Sequence, residues 1–83
     1  MENLIFEKVG DVASTYPYYC IYRGGQSEPF MEFGVTDNKE LEFTFYRSEK
    51  NVPLNLSEWD EIRTRAIAFL PRAIADEEAA GYS

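Results

Sequence analysis

The sequence predicts an α+β domain: an antiparallel sheet of three to four strands, packed on one face by a C-terminal helix that is kinked or split near Pro71. Three observations carry this. Residues 30–35 and 41–47 alternate apolar with polar side chains, the period of a half-buried strand. From Ser57 the apolar residues recur at three- and four-residue steps, the period of a helix with one buried stripe. The chain has 83 residues, enough for one small core and hence a single domain over 1–83.

Taken in order, Leu4–Val9 is a short apolar-rich strand closed by Gly10 and Asp11. Tyr18–Arg23 is dense in aromatic and β-favouring residues, entered through Tyr16-Pro17 and left through Gly24-Gly25, a pair that tolerates positive φ in a turn. A third strand over 30–35 follows Pro29, and the polar loop of residues 36–40, with its Asp37-Asn38 pair, suits a hairpin into 41–47. Alternation places Met31, Phe33 and Val35 on one face with Leu41, Phe43 and Phe45, and leaves Phe30, Glu32, Gly34, Glu42, Thr44 and Tyr46 on the other.

The helix carries its apolar stripe through Trp59, Ile62, Ala66, Phe69, Ala73 and Ile74. Ser57 is the expected N-cap, with Asp60 as the capping-box acid and Glu58 favourable in the first turn. Glu61 with Arg65 and Asp60 with Arg63 sit at helical spacing, where each pair supports the exposed face by about 0.3 kcal/mol. Pro71 removes a backbone donor, so a kink or a second short helix is expected there. Residues 76–83, opening on Asp76-Glu77-Glu78, are expected to fray in solvent.

Composition restricts function more than any motif does. Fifteen carboxylates stand against eight basic side chains, with no histidine and a formal net charge of −7. Such a balance disfavours nucleic acid and favours a basic protein surface as partner. Without histidine the commonest general base and metal ligand are missing, and Arg23-Gly24-Gly25-Gln26 lacks the Lys and Ser/Thr of a phosphate loop. Catalysis is therefore the least supported class, and neither cofactor nor metal is expected. The single cysteine, Cys20, cannot close an internal disulfide and lies in a strand-like run, where a thiol behaves as a small buried hydrophobe. No apolar run reaches the roughly 20 residues needed to span a bilayer, and Met1-Glu2-Asn3 lacks a basic stretch; a cytoplasmic address is expected.

The helix covers one side of the sheet, so the other side is the candidate site. Tyr22, Glu32, Glu42, Thr44 and Tyr46 mix rigid rings with carboxylates that can pair with Lys or Arg opposite, and Asp37 and Glu40 in the turn form its rim. Tyr18 joins the same surface. Thr, Tyr and Glu are also ordinary residues for the wet side of an antiparallel sheet whose function lies elsewhere.

Two resemblances bear on this reading. The passage from Tyr46-Arg47 to Leu54-Asn55-Leu56-Ser57-Glu58 and Trp59 resembles the strand-to-helix passage of the single-strand-binding transcriptional coactivator fold. That resemblance implies a four-stranded sheet followed by one helix, with basic and aromatic side chains in a groove for single-stranded DNA or RNA. Here residues 28–49 hold six acids against Lys39 and Arg47, the wrong sign for phosphate. By size, acidity and an aromatic-rich sheet, the whole chain is similar to the small acidic immunity proteins that bacteria make against their own secreted toxins, many of them nucleases. The similarity implies a non-enzymatic inhibitor that covers a basic cleft, with electrostatically steered association. A coactivator-like nucleic-acid binder is the alternative. A homodimer, paired by a sheet edge or the open face through Phe30 or Tyr18, is the third reading.

Overall fold

A computed structural model describes residues 3–10 and 13–80. Four strands precede one helix: β1 (Leu4–Val9), β2 (Tyr18–Arg23), β3 (Met31–Val35), β4 (Leu41–Phe45) and α1 (Leu56–Ala80). The strands form one antiparallel sheet in the order β1-β2-β3-β4, a meander in which every connection joins neighbours. Short connections between consecutive antiparallel strands make this the simplest topology available.

Each turn has a local cause. Between β2 and β3, Gln26 N–H donates to Arg23 C=O at 3.0 Å, and Gly25 sits at φ 85°, a region L side chains enter with strain. Between β3 and β4, Lys39 N–H donates to Thr36 C=O at 2.9 Å and Thr36 N–H to Glu40 C=O at 2.8 Å, while Lys39 takes φ 64°. This is the tight hairpin expected of the polar loop, with the left-handed residue at Lys39 instead of a glycine.

The helix lies over one face, and the core is what it traps. Ile21, Met31 and Ile62 are fully buried, with Phe33, Ala66, Phe69, Ala73 and Tyr16 close behind. Tyr16 enters this cluster from the β1–β2 connection. Phe69 meets Tyr19 edge-on at 5.1 Å and Phe33 at 6.1 Å, and Trp59 lies over Phe43 at 5.3 Å, separations at which aromatic pairs attract beyond their buried area. The residues of the helical stripe are those that face the sheet: Ile62, Ala66, Phe69 and Ala73 are buried, and Trp59 and Ile74 half-buried.

Several boundaries differ from the sequence expectation. Phe30 is not part of β3 and does not face outward. Its N–H donates to Ile21 C=O at 2.9 Å, one residue out of step with the Cys20–Glu32 and Ile21–Met31 pairing. The slip turns the ring off the open face; it packs against the core, with the Arg23 guanidinium 5.7 Å above it. Tyr46 and Arg47 lie beyond the end of β4, although Tyr46 N–H still donates to Phe30 C=O at 2.9 Å.

The helix starts two residues earlier than a Ser57 cap would start it, at Leu56. Asn55 is the cap: its Oδ1 accepts Glu58 N–H at 2.8 Å, and Glu58 Oε1 accepts Asn55 N–H at 3.0 Å. This is a capping box with Asn and Glu in the two roles. Ser57 Oγ donates to Asn55 Oδ1 at 2.9 Å, and so supports the cap without being it. Pro71 does not split the helix, which runs 25 residues through it, about 37 Å. The chain is exposed on the Pro71 side, so water can satisfy the carbonyl that loses its partner. Nor does α1 fray at Asp76; it continues to Ala80, and Glu78 reaches Lys39 at 3.7 Å. The expected closure of β1 at Asp11 and the fraying of residues 81–83 lie outside the described residues.

Candidate functional site

The face of the sheet turned away from α1 is built by strand alternation and register. β1 contributes Ile5, Glu7 and Val9, β2 Tyr18, Cys20 and Tyr22, β3 Glu32 and Gly34, and β4 Glu42 and Thr44, with Tyr46 just past the strand end. Cross-strand pairing then sets Glu7, Cys20, Glu32 and Thr44 in one row, with neighbours about 4.8 Å apart. Tyr18 crosses beside Gly34, where an added Cβ would come within 3.1 Å of the tyrosine Cβ. A side chain at position 34 would push the ring away.

Two tyrosine hydroxyls bind the carboxylates of this row. Tyr46 Oη donates to Glu32 Oε1 at 2.8 Å and Tyr22 Oη to Glu7 Oε1 at 2.9 Å. Each bond engages one carboxylate oxygen and ties the two side chains together across the face. Desolvation, and then the bond to Glu32, push the Tyr46 hydroxyl far above the ordinary tyrosine range; the bond to Glu7 raises Tyr22. Both rings are therefore neutral donors at physiological pH.

Cys20 is a member of this row, not of the core cluster under the helix. It is 7% exposed and its Sγ is 3.8 Å from Tyr46 Oη. Desolvation raises its pKa, with Glu32 and Glu7 adding repulsion against the thiolate and the Tyr46 contact opposing them. The thiol is a spacer, kept protonated where an activated nucleophile would have to be ionised.

Basic side chains are confined to the helix side of the strands. No lysine or arginine lies among the open-face strand residues; by alternation Lys8 and Arg23 fall on the helix side. Arg23 is held there by Glu58 at 2.7 Å, with side chains 17% and 19% exposed, and it also donates to Pro53 C=O. Arg63 and Arg65 meet Asp60 at 3.9 Å and Glu61 at 3.1 Å on the outer surface of α1.

The structure thus gathers Tyr22, Glu32, Glu42, Thr44 and Tyr46 on one surface, with Tyr18 beside them. Asp37 and Glu40 stand at the end of the sheet, where Asp37 Oδ1 accepts Thr15 Oγ1 at 3.2 Å and Glu40 N–H donates to Thr36 Oγ1 at 3.2 Å. They border the surface without joining its row. Glu7 was absent from the sequence expectation because Leu4-Ile5-Phe6 reads as a continuous apolar run, which hides the alternation. The charge change at Glu7-Lys8 was the available signal.

Among the described residues, no three metal-ligating side chains converge and no helix is long and apolar enough to cross a membrane. A second exposed feature pairs the end of β4 with the start of α1, where Phe45, 6.4 Å from the Trp59 ring, is 61% exposed and Leu56 75% exposed. No protein-family model, curated protein or solved structure matches this chain.

Proposed function

We propose that the open sheet face is a docking surface for a cationic protein, and that the chain is a non-enzymatic inhibitor of the immunity type, neutralising a basic toxin such as a nuclease. The observation that carries the reading is the absence of any basic side chain among the open-face strand residues, where Glu7, Glu32 and Glu42 stand beside Tyr18, Tyr22 and Tyr46. Tyrosines pinned to carboxylates present broad, rigid contact area at little entropic cost, and the uniform sign steers a positive surface into place.

The test is co-expression with the product of the adjoining gene, together with association kinetics on the purified pair. Reversal of Glu7, Glu32 and Glu42 to lysine should abolish protection and slow association by about tenfold or more at low salt, with the wild-type salt dependence lost. Protection by the triple variant equal to that of the wild type would remove this face. Retardation of a single-stranded oligonucleotide at low salt would favour the coactivator-like reading instead.

A further inference from the structure

A cleft lies on the opposite side of the molecule from the open face, between edge strand β1 and α1. Its volume is about 240 Å³, and its walls are the rings of Phe6, Tyr19, Phe33 and Phe69. Lys8, Arg65 and Arg72 stand around it against a single acid, Asp76. This local excess of cations is opposite in sign to the chain's net charge of −7.

The three cations are not committed alike. Arg65 stacks 4.2 Å above the Phe6 ring and binds Glu61 at 3.1 Å, which fixes its guanidinium at the rim and uses part of its charge. Lys8 and Arg72 form no ion pair among the described residues, and Asp76, one helical turn from Arg72, pairs with neither. Both are exposed. Two cations with no ion pair among the described residues flank an aromatic cleft, and an anion that also carries an apolar body would complement both.

We infer that this cleft binds a small aromatic carboxylate, its ring between Phe6 and Phe69 and its carboxylate between Lys8 and Arg72. The volume admits roughly a bicyclic ring system and lies below the usual range for drug-sized ligands. Charge complementarity selects the acid over a neutral aromatic of equal shape, because desolvating the ring in the cleft is favourable for both and only the acid meets the cations. The site is independent of the open-face reading, sharing no residue with it.

2-Naphthoate, with 2-naphthylmethanol as its neutral isostere, tests this by titration into isotopically labelled protein. The acid should shift the amides of Phe6, Lys8, Ala68, Phe69 and Arg72 with a Kd of about 1 mM or tighter, and the alcohol should bind at least about tenfold more weakly. The double variant Lys8→Gln/Arg72→Gln removes exposed charges that make no ion pair among the described residues, so it should keep the native spectrum and bind the acid no better than the alcohol. Ala68→Trp, an exposed helix position lining the cleft, should block both ligands. No shifts with about 5 mM acid, equal affinity for acid and alcohol, or undiminished binding by the double variant would each overturn the assignment.

Discussion

Replacing Asn55 by alanine tests how the helix is begun, because two residues compete for that role. Asn55 Oδ1 is the only acceptor in the capping box that reaches Glu58 N–H, at 2.8 Å, and it also takes the Ser57 hydroxyl at 2.9 Å. The alanine removes both bonds and leaves an N–H of the first turn to water. The reciprocal bond from Asn55 N–H to Glu58 and the Arg23–Glu58 pair survive, so the loss should be that of one cap, about 1 kcal/mol. For a domain of this size it corresponds to a fall in Tm of roughly 4–8 °C. Ser57→Ala loses only a hydroxyl donated to the cap and should cost less than about 0.5 kcal/mol. Thermal and urea melts followed by circular dichroism at the helical band measure both, and Asn55→Asp should restore most of the loss. A Tm lower for Ser57→Ala than for Asn55→Ala would refute the capping assignment and return the cap to Ser57.

Three further predictions concern ionisation. Glu58 is held below its ordinary value of 4.5, first by Arg23 and then by the Asn55 N–H. A lowered native pKa contributes stability that is complete above the unfolded value and fades as pH falls through the native one. The urea midpoint of Glu58→Gln should therefore lie below wild type at pH 7 and converge with it on acidification below 4.5. Tyr46 is raised above its ordinary value of 10.0, so its contribution is complete below that pH and is lost as pH rises toward the native value. Urea midpoints across this alkaline range should fall more steeply for wild type than for Tyr46→Phe. Cys20, buried and raised above 9.0, should react with a disulfide reagent at pH 8 at least about tenfold more slowly in the native protein than in denaturant; equal rates would contradict its burial.

Much of the fold was legible because each element reports its own period. Phe43 and Phe45 turn toward Trp59 and Leu41 toward the same core, while Glu42 and Thr44 turn away, as alternation requires. The helical stripe from Trp59 to Ile74 faces the core for the same reason. Elements end, in contrast, where hydrogen-bond partners come from elsewhere. Asn55 caps the helix because Glu58 answers it, and Glu58 is oriented by Arg23 from β2; Ser57 was an equally good cap on local propensity alone. Phe30 fails because alternation presumes an uninterrupted ladder, and the slip to Ile21 breaks it.

Only the tertiary structure could bring Glu7 into line with Cys20, Glu32 and Thr44, or set Lys8 and Arg72 around one aromatic cleft. Composition and periodicity by themselves established an acidic α+β domain with one face of its sheet left open. Period is a property of neighbouring residues along one strand or helix, whereas a site depends on register between elements. That register is set by backbone bonds and ring contacts that no short stretch of sequence contains.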